Sequence, residues 1–361
     1  MIEPLIDVLI TDDSAFMRRA IVKMVESQPD MRVAGTARSG EEAIEKALAL
    51  DPDAITMDVE MPGIGGLEAV RQIVAARSIP IIMCSSLTRE GAETTFRALE
   101  LGAVDFITKP DAAYVNITDV ARDLIEKIRA VARKGSRPRI QSAPRISGPR
   151  TILPPERPRV QRSISDPRYH CVAIGTSTGG PVALSHIVPE LSADFPLPIL
   201  IVQHMPLGFT RPLADRLNSQ SKIAVHEAVN GMLLEAGTAL VVPSGKQLSL
   251  RRSPAGEAEV RLRDDDGSSL HVPSVDALME EVATVYGRAA IGVILTGMGQ
   301  DGVKGLRKLK ARGGYVIGQD EATCVVYGMP RAAAKESLVD RVVELDDVAA
   351  TLAELTNVSK S

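Results

Sequence analysis

Ser177 is the residue of this chain whose surroundings best match those of a catalytic nucleophile. It is the central residue of a Gly-Thr-Ser-Thr-Gly segment at 175–179, which fits the G-x-S-x-G pattern of a sharp turn between a strand and a helix. Such a turn exposes the serine hydroxyl, and the first amides of the helix can stabilise an oxyanion. A dinucleotide-binding turn is the alternative, but it needs an acidic residue about 20 positions further on to bind the ribose. The next predicted strand ends in Gln203-His204 instead, which favours the nucleophile.

His204 and Asp301 could complete a catalytic triad with Ser177. A serine needs a base whose pKa is near neutral, and His204 directly follows a predicted strand at 199–203. Asp301 lies in a glycine-rich loop after the apolar run 291–295. Because the carboxyl ends of parallel strands meet at one edge of a sheet, the three residues can serve as nucleophile, base and orienting acid. Their order along the chain differs from the Ser, Asp, His order of α/β-hydrolases, so we exclude that family and retain the chemistry.

The first half of the chain has a different set of polar residues at predicted strand ends, namely Asp12, Asp13, Asp58, Ser85 and Lys109. Three carboxylates that meet at one sheet edge would repel each other unless a hard cation neutralised them, and Mg²⁺ suits such an oxygen site. A carboxylate held there can act as a nucleophile toward a phosphoryl group. Helix N-capping is the alternative for any one aspartate, but it does not account for five residues in this order.

Apolar strands that alternate with amphipathic helices must position both sets of residues, and this alternation predicts parallel sheets covered by helices. In the first half we predict strands at 6–11, 53–57, 79–84 and 104–108 and helices at 40–50 and 117–132. In the second half we predict strands at 171–175, 199–203, 291–296 and 315–318 and helices at 181–191, 274–286, 302–311 and 346–355. The segments 239–242, 247–251 and 259–263 are predicted to form a small antiparallel hairpin layer.

The length of 361 residues favours two domains, which we place at 1–133 and 169–361. The segment 134–168 contains seven prolines and nine basic residues and has no apolar periodicity, which predicts a flexible linker. The net charge is −4 and the basic residues concentrate in this linker, so we expect no binding of nucleic acid. Neither a membrane span nor a signal peptide is predicted, and the three scattered cysteines are expected to be buried free thiols, so we expect a cytoplasmic protein.

The segment 7–133 resembles the receiver domain of two-component response regulators. The resemblance rests on the order of strands and helices, on Asp12-Asp13, on the Met-Asp-Val-Glu-Met-Pro-Gly segment around Asp58 and on the Thr-Lys-Pro segment around Lys109. It implies a flavodoxin-like fold in which Asp58 accepts the phosphoryl group and Asp12, Asp13 and Asp58 bind Mg²⁺. It also implies that Ser85 and Lys109 respond to the new charge and that the peptide bond between Lys109 and the following proline is cis.

The second half resembles the catalytic domain of chemotaxis protein-glutamate methylesterases, the CheB family. The segments 174–180, 202–210, 273–276, 294–302 and 320–330 carry this resemblance, and together with the receiver they cover nearly the full chain. The resemblance implies a Rossmann-like three-layer α/β domain in which Ser177, His204 and Asp301 form the triad. It further implies that Thr178 and the backbone N–H of Met298 contribute on the oxyanion side.

The two resemblances together imply a phosphorylation-activated enzyme of chemotaxis. It would hydrolyse glutamate methyl esters on the cytoplasmic domains of chemoreceptors and deamidate glutamines at the same sites. The implied partners are methyl-accepting receptors as substrates and a chemotaxis histidine kinase as phosphodonor, with Mg²⁺ for phosphorylation and no cofactor for ester hydrolysis. The alternative is a response regulator whose output domain binds DNA or another protein without catalysis, and the acidic output segment counts against DNA.

The other four histidines, His170, His186, His226 and His271, do not belong to a recognisable metal-ligand pattern with cysteines or carboxylates. We therefore interpret them as surface or packing residues and assign no metal to the second half.

Overall fold

A computed structural model describes residues 5–86, 88–109, 117–132, 168–253, 256–267 and 269–356. These residues form two separate parallel sheets, each covered by helices, and a two-stranded antiparallel hairpin, which confirms the predicted α/β class. In the described part of the chain, no helix combines the length and the apolar character that a membrane crossing requires.

The first sheet has five parallel strands in the order β2-β1-β3-β4-β5. Its strands are β1 (Ile6–Thr11), β2 (Met31–Ala37), β3 (Ala54–Asp58), β4 (Ile81–Ser85) and β5 (Asp105–Thr108). The covering helices are α1 (Ala15–Glu26), α2 (Gly40–Leu50), α3 (Gly65–Ala76), α4 (Arg89–Glu100) and α5 (Ile117–Ala132). The strands β3, β4 and β5 are buried along their whole length, so they are largely apolar, and each ends in a polar residue: Asp58, Ser85 and Thr108.

The second sheet has seven parallel strands in the order β14-β13-β12-β6-β7-β9-β8. Its strands are β6 (Cys171–Thr176), β7 (Ile199–Gln203), β8 (Ala224–Glu227), β9 (Thr238–Val241), β12 (Ala290–Ile294), β13 (Tyr315–Gln319) and β14 (Arg341–Val343). The helices are α6 (Gly180–Ile187), α7 (Thr210–Gln220), α8 (Val275–Val285), α9 (Val303–Ala311), α10 (Met329–Lys335) and α11 (Val348–Leu355), and three short 3-10 helices lie at Val188–Glu190, Gly287–Ala289 and Leu345–Asp347. The central strand β6 lies between β7 and β12, so the loops after these three strands meet at one edge.

The antiparallel hairpin consists of β10 (Gln247–Arg252) and β11 (Ala258–Arg263). The prediction that 239–242 belongs to this layer was wrong, because Thr238–Val241 pairs in parallel with β7 and β8 inside the main sheet. Nearly all residues of this strand are buried, as expected of a strand that is covered on both faces. The prediction grouped it with the two hairpin strands because they follow it closely in the sequence. The strand Met31–Ala37 was not predicted, and its residues are mostly half-buried and include a glycine.

Two predicted features fall where the structure is not described. Nearly all of the predicted linker at 134–168 lies outside the described residues, and so does Pro110, with its bond to Lys109. The three cysteines, Cys84, Cys171 and Cys324, are buried thiols, as expected.

An aromatic contact joins the two halves of the molecule. Phe209, which precedes α7, stacks on Phe106 of β5 with a distance of 4.6 Å between ring centroids, and Phe96 of α4 meets Phe209 edge-on at 6.3 Å. Glu100, the last residue of α4, forms an ion pair with Arg216 and accepts a hydrogen bond from the side chain of Gln220 at 2.9 Å. The α4 and β5 face of the first half therefore packs on α7 of the second.

Candidate hydrolase site and candidate phosphorylation site

Asp301 is held in place by the amino end of helix α8. Its carboxylate accepts hydrogen bonds from the backbone N–H groups of Val275 (2.7 Å), Asp276 (2.9 Å) and Gly302 (3.0 Å) and from the hydroxyl of Ser274 (3.0 Å). Ser274 also caps α8, so one side chain fixes both the helix and the acid. The position of Asp301 is thus set by backbone amides at a helix terminus, where a negative charge is stabilised.

The electrostatics of Asp301 favour the carboxylate form. Burial alone would raise its pKa, but the interaction with His204, together with the amides of Asp276 and Val275, holds the pKa well below its usual range. Asp301 therefore remains ionised at any pH at which the enzyme would operate, as the orienting member of a triad must.

His204 contacts Asp301 through its Nε2 atom at 2.8 Å, and the two side chains are about equally buried. Its other ring nitrogen, Nδ1, is buried and has no hydrogen-bond partner among the described residues. In the chymotrypsin arrangement the aspartate binds Nδ1 and the serine faces Nε2. Here the roles of the two nitrogens are exchanged, and Nδ1 is the atom left to accept a proton.

Ser177 lies at the turn between β6 and α6. Its backbone N–H donates to the carbonyl of Thr296 at 3.1 Å, and Gly179 adopts a left-handed φ of 78° as the residue before the helix, as a sharp strand-to-helix turn requires. The side-chain amide of Gln203 donates to the carbonyls of both Ser177 (2.9 Å) and His204 (2.8 Å). Gln203 thus ties the main chain of the predicted nucleophile to that of the predicted base.

A buried network lies beneath the predicted oxyanion side. The hydroxyl of Thr296 donates to the carbonyl of Thr178 at 2.9 Å and accepts from the N–H of Val326 at 3.0 Å. The N–H of Gly297 donates to the carbonyl of Val326 at 3.0 Å, which fixes the backbone that leads to Met298. Thr178 and Met298 therefore lie in two loops that the same hydrogen bonds hold together.

His271 is the residue near the site that the sequence analysis did not single out. Its ring stacks on that of His204 with 4.1 Å between centroids and 19° between planes. Burial and the neighbouring His204 lower the pKa of His271 to about 4, although Asp301 acts in the opposite direction. A packing role was expected for it, but no spacing rule in the sequence indicates that it packs on this particular ring.

The lowered pKa of His271 predicts a pH-dependent stability. An unfolded histidine titrates near 6.5, so between about pH 6.5 and 4 the unfolded chain binds more protons, and stability should fall as the pH falls through this range. After solvent screening we expect the free energy of unfolding to drop by about 1–2 kcal/mol more in the parent than in His271→Gln. Urea denaturation at pH 7 and pH 4.5 measures this, with His186→Gln, whose partner is the exposed Asp346, as the control. Equal pH slopes for the parent and His271→Gln would contradict the prediction.

The five polar residues of the first half meet at the carboxyl edge of the first sheet. The ammonium of Lys109 lies 3.0 Å from Asp12 and 2.7 Å from Asp58. Burial raises the pKa of Asp58 to about 6; Lys109 opposes this shift and Asp12 adds to it. Burial alone would lower the pKa of Lys109, but Asp58 and Asp12 raise it overall, so the ammonium stays charged. Ser85 is the last residue of β4, and it is buried at the same edge.

The carboxylates of this edge fit a hard cation. Oxygen atoms of Asp12, Asp13 and Asp58 lie within 4.8 Å of one another, and Asp12 and Asp58 are buried whereas Asp13 is exposed. Clustered carboxylates with one solvent-facing ligand suit Mg²⁺, because a bound Mg²⁺ ion usually keeps several water ligands. The arrangement can place a phosphoryl donor's charge next to the nucleophilic oxygens of Asp58.

Residues of the first half lie against the candidate hydrolase site of the second. Asp105, at the start of β5, is buried, and burial raises its pKa; the ammonium of Lys127 and the hydroxyl of Thr178 act against that shift. A carboxyl group of the first half therefore lies beside the residue that follows Ser177. Val326 and Met298 also pack in one apolar cluster with residues of α5 and the first sheet.

Both halves of the chain match known families. Residues 172–352 match the CheB methylesterase model, and residues 8–117 match the response regulator receiver domain model. A protein-glutamate methylesterase/protein-glutamine glutaminase of Oleidesulfovibrio alaskensis is 42% identical over 96% of this chain and 98% of the relative. One from Symbiobacterium thermophilum is 44% identical over 95% of each chain. The crystal structure of the CheB methylesterase catalytic domain of Thermotoga maritima is 42% identical in sequence to this chain, with a TM-score of 0.51. The aligned region spans 52% of this chain and 98% of the Thermotoga maritima chain.

Proposed function

The chain belongs to the CheB methylesterase family, and on this premise we propose that Ser177, His204 and Asp301 carry out its hydrolysis as nucleophile, base and orienting acid. It is a protein-glutamate methylesterase and protein-glutamine glutaminase that a receiver domain regulates. The observation that carries the assignment is the 2.8 Å contact between His204 and Asp301 at the sheet edge where Ser177 turns into α6.

The reaction follows from these positions in two steps. Ser177 Oγ attacks the γ-carbonyl carbon of the glutamyl ester while Nδ1 of His204 takes the hydroxyl proton, and the same proton then leaves with methanol as the acyl-enzyme forms. A water, deprotonated by Nδ1, attacks the acyl carbon, and the proton returns to Ser177 as the glutamate is released. With glutamine the leaving group is ammonia. Asp301 stabilises the imidazolium that forms in each step through its bond to Nε2.

Thr178 and the N–H of Met298 are the proposed contributors on the oxyanion side. The hydroxyl of Thr178 is buried next to the nucleophile and interacts with the carboxyl group of Asp105. When that carboxyl group moves away, the hydroxyl can donate to an oxygen that becomes negative in the transition state. Thr296 fixes the backbone of Thr178, so this donor does not have to reorganise during the reaction.

Asp58 is the proposed site of phosphorylation. Bound Mg²⁺ would neutralise the incoming phosphoryl charge, and Asp12, Asp13 and Asp58 would hold it. Lys109 stabilises the phosphoryl charge after transfer, and Ser85 reorients toward it. The proposed phosphodonor is a chemotaxis histidine kinase, and the proposed substrates are the cytoplasmic domains of methyl-accepting receptors.

Replacement of Asp58 by asparagine should abolish labelling by a small phosphodonor in the presence of Mg²⁺. The amide cannot form an acyl phosphate, so the hydroxylamine-sensitive label should fall to background, at least about 100-fold below the parent. Asp53→Asn, beside the other end of the same strand, is the matched control and should label normally. A hydroxylamine-sensitive phosphate retained on Asp58→Asn would place the acceptor elsewhere.

We also propose that residues 1–133 form the receiver, 134–168 a linker and 169–361 the catalytic domain, and that the receiver inhibits by covering Ser177. The buried position of Asp105 beside Thr178 and the apolar cluster around Met298 support this closed state.

The test of the proposed function is methanol release from methylated receptor membranes. Release by the phosphorylated chain, with little release before phosphorylation, supports the proposal, and the absence of methanol in both states would refute it.

A further inference from the structure

A polar groove of about 1180 Å³ adjoins the hydrolase site. Asp301, Ser274 and His271 belong to its lining, and so do Arg331 and Lys335 of helix α10. Leu270, next to His271 in the chain, also lines it, and its side chain is 85% exposed. The groove thus extends the site beyond the reacting group and offers both charge and one apolar contact.

The carboxylates of the groove are already bound to other groups. Glu280 pairs with Lys304 at 3.1 Å and with Lys308 at 3.8 Å, and Glu336 pairs with Arg307 at 2.6 Å. Two further acids accept hydrogen bonds from backbone N–H groups, Glu281 from Leu250 at 2.8 Å and Asp276 from Gly305 at 2.8 Å. Glu280 and Glu336 are therefore engaged by other cations, and Glu281 and Asp276 are held by backbone amides.

Three cations of the groove have no ion pair among the described residues, namely Arg263, Arg331 and Lys335, and the last two lie together on helix α10. Both are exposed, they are four residues apart on α10, and within the described ranges no carboxylate lies within 4.0 Å of either charged group. Residues at this spacing lie on the same face of a helix. The groove consequently presents a pair of unneutralised positive charges near the triad.

The chemistry of the substrate supplies charges of the opposite sign. Both the hydrolysis of a glutamyl methyl ester and the deamidation of a glutamine leave a γ-carboxylate. A protein with several target residues close together gains negative charge with every turnover, so an unreacted ester comes to lie among carboxylates.

We propose that Arg331 and Lys335 form a subsite for carboxylates that neighbour the target residue in the protein substrate. The inference rests on the proposed function and deepens it, because it makes the pair a determinant of specificity. Arg331 and Lys335 attract the flanking carboxylates while Leu270 packs on the apolar part of the same segment. The enzyme then prefers a substrate in which neighbouring sites are already hydrolysed.

The test uses the phosphorylated full chain and its double variant Arg331→Gln/Lys335→Gln. Methanol release is measured from receptor membranes and from a small neutral substrate, N-acetyl glutamate γ-methyl ester amide. The double variant should lose about tenfold in kcat/KM toward the receptor, mainly through KM, and keep its rate on the small ester. Its kcat/KM should also depend less on salt than that of the parent. Arg288→Gln, at the amino end of β12, is the control and should match the parent.

Each outcome bears on one claim. An unchanged kcat/KM toward the receptor overturns the subsite, and so does an equal loss on both substrates, since that indicates a structural role. Rescue by Arg331→Lys/Lys335→Arg, which keeps both charges, supports it. If the parent releases no methanol from the receptor, the proposed function fails and not the subsite alone.

Discussion

Replacement of Ser177 by alanine should lower the turnover by roughly 10⁴ or more and leave the melting temperature of the protein unchanged. The hydrogen bonds that position this residue use its backbone: its N–H donates to Thr296, and its carbonyl accepts from Gln203. Only the nucleophilic oxygen is lost, so the turn and the sheet edge persist. Ser249→Ala, on the exposed hairpin, is the matched control and should retain full activity.

Asp301→Asn should lower both turnover and stability, whereas Ser177→Ala should lower turnover alone. An amide cannot accept all the hydrogen bonds that the carboxylate accepts from α8, Ser274, Gly302 and His204, because its NH₂ group would face an N–H donor. We expect a similar loss of turnover together with a loss of about 1–3 kcal/mol in stability. Because the triad acts as one unit, the double variant with Ser177→Ala should be no slower than the worse single variant.

These results would be contradicted in two ways. Near-normal turnover of Asp301→Asn would show that this residue does not orient the base. A double variant that is slower than either single variant by the product of their effects would show that the two residues act independently. Single-turnover methanol release and thermal unfolding are the two measurements required.

Charge reversal at Glu100 should raise the activity of the unphosphorylated enzyme at least tenfold. Its partner Arg216 has a side chain that is only 18% exposed, so Glu100→Arg places two cations together at the contact between α4 and α7. The loss of a partly buried pair and the new repulsion disfavour the closed state by about 2–4 kcal/mol. For a closed-to-open ratio of about 99:1, roughly 2.7 kcal/mol already brings the two states to balance.

The phosphorylated form provides the internal comparison for this variant. If the receiver acts by covering the site, phosphorylated parent and phosphorylated Glu100→Arg should have equal rates, because both are open. Glu45→Arg, on helix α2, makes the same charge change at an exposed position and should not raise basal activity. Equal basal rates for the parent and Glu100→Arg would overturn the model in which the receiver inhibits by contact.

Many helices and strands could be predicted from the local pattern of apolar residues. The bounds of β1, α2, α5 and β7 are those predicted, because each is a continuous apolar run or a clear amphipathic period. The strand Met31–Ala37 was missed because the half-buried β2 at the sheet edge lacks such a run. The strand at 238–241 was placed in the wrong sheet, since periodicity reports burial but not the partner strand.

The site residues could be predicted where the chemistry demands a particular residue type. They could not be predicted where packing determines which side chains meet. Ser177, His204 and Asp301 were placed by their position after strands, and the structure brings His204 and Asp301 together. The roles of Gln203 and Ser274, which fix the triad, depend on bonds across 26 and 27 positions of the chain. The exchange of the two ring nitrogens of His204 and the stack with His271 depend on side-chain orientation, which no spacing specifies.

The aromatic contact between the halves has a consequence for how the enzyme behaves in solution. The chain has five phenylalanines, and three of them, Phe96, Phe106 and Phe209, meet at this one contact. If the receiver lifts off on activation, as we propose, these rings become exposed to water, and the active form presents an apolar surface that the resting form buries. Concentrated phosphorylated enzyme should therefore self-associate and scatter light at protein concentrations where the unphosphorylated enzyme stays clear. Activation by undocking would then lower colloidal stability, because both depend on the same three rings.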